Sequence, residues 1–241
     1  MKKLLTILCL VFLGSYSYSQ EVILEVETVT REGLVYHQSS TEPFTGVVES
    51  FSLYTNGQLF QRQNYKNGEL DGLRESFWDN GRLMMRENYK NGELDGLRER
   101  FGSENGQLLR RENYVNGEFD GLIETLYENG KLRSRDNWKN DKKEGLQETY
   151  RKNGQLWMRG NNKNGKWDGL REYFYENGQL EGRINYKDGK EEGLYEGYYE
   201  NGQLSSTRNY KDGKLDGLWR TFDEDGNLTK TEEWKDGELI E

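Results

Sequence analysis

Residues 72–81 read Gly72-Leu73-Arg74-Glu75-Ser76-Phe77-Trp78-Asp79-Asn80-Gly81 and open a unit of 24 residues that closes at Asp95. The unit recurs along the chain with successive spacings of 26, 24, 25, 24, 24, 24 and 24 residues. Its opening glycines are Gly46, Gly72, Gly96, Gly121, Gly145, Gly169, Gly193 and Gly217. A fixed period of this length predicts a repeat array in which each unit buries its surface against its neighbours alone.

Each unit has the pattern of a β-hairpin. Asn-Gly occurs eleven times, and this dipeptide favours the two positive φ angles of a type I′ turn. If Asn80-Gly81 is a two-residue loop, Glu75 faces Arg86 and Trp78 faces Leu83. The sequence therefore predicts an all-β fold, an elongated array of about eight antiparallel hairpins that forms a single-layer, twisted meander sheet.

The same pairing rule places opposite charges across the strands of other units. It sets Glu124 against Arg135, Glu148 against Arg159 and Glu172 against Arg183, which is how a structural ladder of cross-strand pairs is built. The unit that opens at Gly96 has one extra residue near Gly102-Ser103. We expect a β-bulge there to absorb it and to restore Glu99 opposite Arg111.

The first nineteen residues are typical of a secretory signal peptide. Lys2 and Lys3 precede an apolar run over residues 4–14, and small residues in Ser17-Tyr18-Ser19 mark a cleavage site. The single cysteine lies inside the apolar run, so a mature chain that begins at Gln20 holds none. We expect three parts: a signal peptide (1–19), N-terminal capping strands (20–42) and the hairpin array (43–241).

Composition and charge narrow the class of partner. The chain is 32% hydrophobic, 32% charged and 13% aromatic, which favours a thin ordered sheet over a disordered chain. Its formal net charge is −9, and it falls to about −11 when the two leader lysines are removed. An acidic protein repels the phosphate backbone, so we expect no nucleic-acid partner. The sequence shows no later run of transmembrane length, and we expect an exported protein, periplasmic or extracellular.

These features resemble the MORN-repeat family in its bacterial variant form. The resemblance rests on the glycine-framed hairpin, on the opening segment Glu42-Pro43-Phe44-Thr45-Gly46, and on an aromatic residue before the second turn of most units. Those aromatic residues are Tyr65, Tyr89, Tyr114, Trp138, Tyr186, Tyr210 and Trp234. The pattern departs at Asn162 and at Asn140-Asp141, so irregularity is expected between residues 138 and 165. The resemblance implies an elongated β array that serves assembly, protein binding or membrane association. The bacterial chains with such repeats include antitoxin-like proteins.

Residues suited to catalysis or metal binding are scarce. His37 is the only histidine and lies before the array, so neither a hydrolase triad nor a histidine-rich metal site is expected. Asp223, Asp225 and Glu232 match part of a calcium-binding loop, but helices are not expected to flank them. Glu75 and its counterparts recur opposite arginine, which favours a structural role over glycosidase chemistry. We therefore expect no enzyme activity, cofactor or metal.

A set of aromatic residues in three successive units is the candidate partner-binding site. It comprises Tyr173, Tyr175, Tyr195, Tyr199 and Trp219, with Arg171 and Arg183 nearby. Rings of this kind either cover one another in a thin sheet or form an interface, where aromatic residues and arginine are enriched.

The function that the sequence predicts is protein–protein interaction or envelope scaffolding by an exported, non-enzymatic repeat protein. The alternatives are an antitoxin or immunity-like protein that neutralises a toxin, and an envelope module that contacts a glycan or lipid. Self-association through the open sheet edges also remains an alternative, because terminal strands leave backbone groups unpaired.

Overall fold

A computed structural model describes residues 20–52 and 57–240. The signal-peptide prediction concerns residues 1–19 and lies outside them. The described chain contains one 3-10 turn, Glu25–Glu27, and these strands: β1 (Val22–Leu24), β2 (Thr28–Arg31), β3 (Leu34–His37), β4 (Gly46–Phe51), β5 (Leu59–Lys66), β6 (Glu69–Phe77), β7 (Leu83–Lys90), β8 (Glu93–Phe101), β9 (Leu108–Val115), β10 (Glu118–Phe119), β11 (Gly121–Leu126), β12 (Leu132–Lys139), β13 (Lys142–Tyr150), β14 (Leu156–Lys163), β15 (Lys166–Phe174), β16 (Leu180–Lys187), β17 (Lys190–Tyr198), β18 (Leu204–Lys211), β19 (Lys214–Leu215), β20 (Gly217–Phe222), β21 (Leu228–Lys235) and β22 (Glu238–Leu239).

Twenty of these strands form one open sheet, and β2 pairs with β3 in a separate hairpin. From β4 onward the pairing is antiparallel and follows the order of the chain, with β10 and β11 both paired to β9 and with β19 and β20 both paired to β18. In contrast, β1 pairs parallel with β4. The extensive contacts between elements all join strands that are neighbours in a sheet, apart from the 3-10 turn against β4. The predicted all-β meander, one layer thick, is therefore confirmed.

The predicted pairing is correct within the strands and wrong beside the turn. Glu75 lies opposite Arg86, but a register shift after Ser76 places Phe77 opposite Leu83 and leaves Trp78 in the loop. The Trp78 N–H donates to the Arg82 carbonyl at 2.8 Å, so the loop is longer than two residues.

Asn80 explains why this loop is not a type I′ turn. Within the Asn80-Gly81 pair, only Gly81 takes a positive φ, of 78°. The Asn80 Oδ1 accepts a hydrogen bond from the Arg82 N–H, and its Nδ2 donates to the Ser103 carbonyl of the next unit at 2.8 Å. The asparagine therefore contributes side-chain hydrogen bonds instead of a left-handed backbone.

Two-residue turns with two positive φ angles lie at the opposite edge of the sheet. Asn91 and Gly92 have φ of 48° and 80°, as a type I′ turn requires. The Gly92 N–H donates to the Leu70 carbonyl of the preceding unit at 2.8 Å, and the later turns repeat this bond. Successive units are thus joined at this edge by backbone hydrogen bonds in addition to strand pairing.

Gly96 shows why each unit opens with glycine. Its φ is 112°, and a Cβ at this position would lie 3.2 Å from the Cβ of Asn88. The Asn88 Nδ2 in turn donates to the Leu97 carbonyl at 2.7 Å. The positive φ and the close approach of the Asn88 side chain together account for glycine at this position.

The extra residue of this unit is accommodated in the loop and not in a strand. The Gly102 N–H donates to the Gln107 carbonyl at 2.9 Å, one residue further than in the flanking loops that begin at Trp78 and Tyr127. Glu99 faces Arg111 as predicted. The prediction of a β-bulge as the cause was wrong, because the longer loop absorbs the insertion at its tip.

The segment between residues 138 and 165 is regular, contrary to expectation. Asn140 and Asp141 take φ of 47° and 59°, so an aspartate adopts the left-handed conformation where other units have glycine. Asn162 is buried and donates a hydrogen bond to the Gln147 side chain at 3.1 Å. Trp167 lies directly opposite Asn162 and supplies an aromatic ring on the adjacent strand.

The small apolar core lies at the N-terminal end. Ile23, Phe44 and Val48 form a buried cluster against which Val35 and Tyr65 pack. The β2–β3 hairpin is attached to the first units through a hydrogen bond from the Val35 N–H to the Gly68 carbonyl at 2.9 Å. Outside this cluster, the side chains on the two faces of the sheet are the candidates for function.

Candidate functional site

One face of the sheet, here called the ladder face, carries alternating glutamate and arginine across successive strands. Each residue of the row lies opposite the next one. The row comprises Glu49, Arg62, Glu75, Arg86, Glu99, Arg111, Glu124, Arg135, Glu148, Arg159, Glu172, Arg183 and Glu196. A single arginine often serves two carboxylates: Arg86 lies 3.4 Å from Glu75 and 3.7 Å from Glu99.

The closest ion pairs in the second half of the row join neighbouring hairpins. Arg159 donates to Glu172 at 2.6 Å, and Arg183 donates to Glu196 at 2.5 Å. The hydrogen bond that Arg159 donates to Glu172 raises the pKa of Arg159 above its usual value. The arginine side chains are 42–48% exposed, so each pair contributes little by itself to stability.

A row of leucines lies beside the ladder on the same face. Leu146, Leu170 and Leu194 are 41%, 38% and 45% exposed. Each stands two residues before a ladder glutamate, and strand alternation therefore directs it to the same side. The ladder face thus combines charge with separate exposed apolar side chains.

The other face, here called the aromatic face, is ionic in its N-terminal part. Arg74, Glu87, Arg98 and Glu112 lie opposite one another across β6 to β9. Glu87 is 4% exposed and Glu112 is 7% exposed. Arg98 lies 3.1 Å from Glu87 and 3.7 Å from Glu112, which compensates the desolvation of both carboxylates.

In the C-terminal part of the aromatic face, rings replace the carboxylates. The Arg171 guanidinium lies 4.2 Å from the ring centre of Trp167 and 4.9 Å from that of Tyr173. Arg208 lies 4.5 Å from the ring of Trp219 and 5.2 Å from that of Tyr195. These distances fit cation–π contacts. Burial raises the pKa of the Tyr173 and Tyr195 hydroxyls.

Both clustered guanidinium groups retain an unsatisfied atom. The Nε atoms of Arg171 and Arg208 are buried and have no hydrogen-bond partner among the described residues. The Trp219 indole N–H is also buried and has no hydrogen-bond partner among the described residues. The ring faces therefore provide contacts for these cations where Nε receives none.

The structure brings together only part of the predicted site. Arg171, Tyr173, Tyr195 and Trp219 share the aromatic face, whereas Arg183 belongs to the ladder on the opposite face. Tyr175 and Tyr199 lie in hairpin loops. The two-residue-loop rule that pairs Trp78 with Leu83 would place them opposite Leu180 and Leu204, and this prediction is wrong. Phe174 and Tyr198 take those positions because of the register shift beside each turn.

Tyr175 and Tyr199 instead connect successive units. The Tyr175 hydroxyl donates to the Tyr198 carbonyl at 2.7 Å, and the Tyr199 hydroxyl donates to the Phe222 carbonyl at the same distance. Each bond spans 23 residues, nearly one repeat. Both tyrosines are half-buried, so their first role is to hold the loops in register.

Sequence reasoning missed Trp167 and Arg208 as members of the aromatic face. The pairing rule that predicted the ladder also places Arg208 opposite Tyr195, as observed, so this contact was within reach of the sequence. Trp167 lies beyond the two-residue turn of its unit, where another register shift intervenes. The register shift beside this turn could not be predicted from the sequence alone.

The residues examined for metal chemistry have structural partners. His37 Nδ1 lies 2.7 Å from the Ser39 hydroxyl. The Asp223 carboxylate accepts hydrogen bonds from the Asn227 side chain and from backbone N–H groups of its own loop, which lower its pKa. Within residues 20–52 and 57–240, no group of three or more His, Cys, Asp or Glu side chains is arranged to hold a metal ion.

In the same residues, no helix has the length and apolar character needed to cross a membrane. The family model described as MORN repeat variant matches six segments, which together cover more than half of the chain. These are residues 47–67, 70–91, 119–140, 167–188, 191–212 and 215–236. The unmatched segments 92–118 and 141–166 contain the extra loop residue and Asn162, yet they form the same hairpins. A comparison with curated proteins finds no match.

Proposed function

The chain belongs to the MORN repeat variant family, and we propose that it is an exported, non-enzymatic repeat protein that binds other proteins along its open sheet. Such binding would serve interaction or envelope scaffolding. The observation that carries the proposal is the composition of the C-terminal part of the aromatic face. Arg171, Tyr173, Tyr195 and Trp219 lie there in a sheet one layer thick, and extensive contacts join only neighbouring strands.

This composition favours a protein partner. Tryptophan, tyrosine and arginine are the residues that most often dominate the binding energy of protein interfaces. Here the rings hold the guanidinium groups in place before any partner arrives, which lowers the entropy lost on binding. The face is also continuous across strands, so a partner can contact several units at once.

Two features support the non-enzymatic part of the proposal. The ladder glutamates face arginines and repeat once per unit, as structural residues do. Glu87 and Glu112, the most buried carboxylates of the ionic row, are held by arginines on adjacent strands. These carboxylates are committed to ion pairs and are poorly placed for general acid or base work.

Export is proposed from the sequence of residues 1–19. The test is the mass of the native protein recovered from cell fractions. We expect a chain that begins at Gln20 in the periplasm or the medium. An unprocessed chain confined to the cytoplasm would contradict export and would leave the binding proposal untouched.

A capture experiment tests the binding role. The mature chain is immobilised, incubated with an envelope extract, and compared with the variant Tyr195→Leu plus Trp219→Leu. The matched control is Leu194→Gln plus Leu218→Gln, which changes the adjacent residues of the same strands on the ladder face. We expect a protein that is retained by the wild type and the control and lost from the aromatic-face variant, with all three chains melting at similar temperatures.

Three outcomes would contradict this proposal or change its form. Retention on peptidoglycan, polysaccharide or liposomes without any protein would favour the envelope glycan or lipid module. Capture of a toxin, with relief of its toxicity, would assign the antitoxin-like alternative. Equal loss from the variant and the control would show that the aromatic face has no special part in binding.

A further inference from the structure

One column of side chains at the loop edge of the sheet is interrupted at a single glycine. In five hairpin loops, the residue that follows the strand donates a side-chain hydrogen bond to a carbonyl 23 residues later. These residues are Trp78, Tyr127, Arg151, Tyr175 and Tyr199. Between Trp78 and Tyr127 the corresponding residue is Gly102, which opens the longer loop and has no side chain to donate.

A groove lies where this side chain is missing. Two adjoining cavities, of about 480 Å³ and about 580 Å³, share Arg100, Leu109 and Glu128 as lining residues. Trp78 lines the first cavity and Tyr127 lines the second, so the groove lies between two successive members of the column. Its size suits a ligand of a few residues.

The backbone at Gly102 does not require glycine. Its φ lies outside the left-handed region, and an added Cβ would meet its nearest neighbour, the Asn105 Oδ1, at 3.4 Å. That distance is an ordinary van der Waals contact. The fold would therefore accept a side chain here, and the open groove is not a by-product of backbone strain.

The groove also gathers cations in an otherwise acidic protein. Arg100 lies directly opposite Arg110 across β8 and β9. A like-charge pair in this position destabilises a sheet, and the corresponding pairs of neighbouring hairpins are neutral, as in Ser76 with Met85. A local cost of this kind without structural benefit is typical of functional sites.

Three of the cations that line the groove lack a carboxylate partner. Arg110, the fourth cation, does have such a partner, because it donates to Glu112 at 2.6 Å. Arg100, Arg133 and Lys152 line the second cavity, and none of the ion pairs found among the described residues involves them. Their charge is therefore available to a ligand.

We propose that this groove binds an acidic peptide segment of a partner protein, with the carboxylates on Arg100, Arg133 and Lys152 and an apolar side chain against Leu109. Guanidinium groups match carboxylates in geometry and charge. Leu109, Trp78 and Tyr127 provide an apolar and aromatic wall for the rest of the segment. The inference extends the proposed protein-binding role to a second place on the sheet and to a stated class of partner.

Two carboxylates in the lining argue against a densely charged polyanion. Glu104 lines the first cavity, and Glu128 lines both. They would repel a ligand with a charge on every unit, whereas a peptide can donate backbone N–H groups to them. Mixed acidic and polar character in the ligand therefore fits the groove better than phosphate alone.

The test uses the mature protein and a blocked pentapeptide, acetyl-Gly-Glu-Leu-Glu-Gly-amide, followed by backbone amide NMR shifts. We expect saturable shifts at Arg100, Leu109 and Thr125, and binding that weakens at least about tenfold when glutamine replaces both glutamates. Gly102→Tyr should abolish the shifts, because its ring fills the groove and restores the column. Arg100→Gln should weaken binding while the control Arg220→Gln, an exposed arginine on the ladder face, should not.

Several results would overturn the proposal. Binding by Gly102→Tyr equal to that of the wild type would show that the groove is not the site. Equal shifts with the glutamine peptide would exclude recognition of carboxylates. Equal shifts with inorganic phosphate would exclude a peptide-specific role. Absence of any shift at millimolar peptide would do the same, provided that the folded amide spectrum is intact. These outcomes are independent of envelope capture by Tyr195 and Trp219, so the two proposals fail separately.

Discussion

The ionic and aromatic parts of the aromatic face accommodate half-buried arginine side chains with different chemistry. In β6 to β9, arginines lie between buried glutamates, as Arg98 does between Glu87 and Glu112. In β15 to β20, Arg171 and Arg208 lie against aromatic rings. The strand pairing is the same in both parts. The backbone pattern of the repeat therefore tolerates either way of accommodating a half-buried guanidinium group.

The two parts differ in what they leave available. The ionic part satisfies its charges internally, whereas the aromatic part leaves the Nε atoms of Arg171 and Arg208 without partners. The loop edge differs in the opposite direction. It is continuous at Tyr175 and Tyr199 but interrupted at Gly102. Each region thus combines one well-satisfied element with one open element, and function is proposed at the open elements.

The largest expected effect concerns the loop column in the C-terminal part. Tyr175→Ala combined with Tyr199→Ala should lower the free energy of unfolding by roughly 4 kcal/mol, about 2 for each half-buried ring and its hydrogen bond. Urea unfolding measures it. The phenylalanine double variant should lose only about 1 kcal/mol per hydroxyl.

Equal effects of the two single alanine variants are expected, because each tyrosine makes the same 2.7 Å bond to the next unit. A clearly milder effect at Tyr199 would show that the two hydroxyl hydrogen bonds are not equivalent. It would therefore count against the column.

The next effect compares the two kinds of arginine directly. Arg98→Met should cost roughly 2–3 kcal/mol, because Glu87 and Glu112 are buried and each loses one cationic partner. Arg171→Met should cost about 1 kcal/mol or less, because methionine keeps contact with the rings and removes the unpartnered Nε. Equal costs in urea unfolding would break the comparison between the two parts.

A smaller effect concerns the ladder face, which is alike in both parts. A double-mutant cycle between Arg159 and Glu172 should give a coupling of roughly 0.5 kcal/mol, in keeping with their 2.6 Å hydrogen bond and partial exposure. The cycle between Glu148 and Arg159 should give nearly none, since they face each other without a close ion pair. The reverse order of couplings would contradict the observed side-chain geometry.

The smallest effect is a pH dependence at the C-terminal edge. A hydrogen bond from Lys235 lowers the pKa of Asp216 below its usual value. A lowered carboxyl pKa contributes stability above the unfolded value, near 3.9, and loses it as the pH falls through the folded value. Asp216→Asn should therefore slightly flatten the loss of stability below about pH 4. An unchanged acid limb in thermal melts would show that the bond contributes nothing.

Much of the fold could be predicted because the same unit, with the same strand pairing, recurs many times along the chain. The spacing of Gly72 and Gly96 predicted the unit, and the pairing arithmetic predicted Glu75 opposite Arg86. The position of the two-residue turns was wrong, because both loops of a unit contain Asn-Gly. Only the Asn80 side-chain bonds and the backbone of Asn91 distinguish them.

The candidate site was harder to predict because a register shift of one residue moves a side chain to the other face. Two such shifts occur in each unit, one beside each turn. Tyr173 and Tyr195 lie far enough from the turns to be placed correctly, whereas Tyr175 and Tyr199 do not. The groove at Gly102 could not be predicted, since it depends on the absence of one side chain from a column that only the structure shows.

The central claim is that partners approach the aromatic face of the C-terminal units. Site-specific photo-cross-linking tests it directly, with p-benzoylphenylalanine placed at Tyr195 or at its neighbour Leu194 in the native host. Strand alternation directs these two positions to opposite faces, and Leu194 is the more exposed. We predict defined protein cross-links from position 195 and none from position 194. Cross-links from position 194 alone, or from neither position, would contradict the claim.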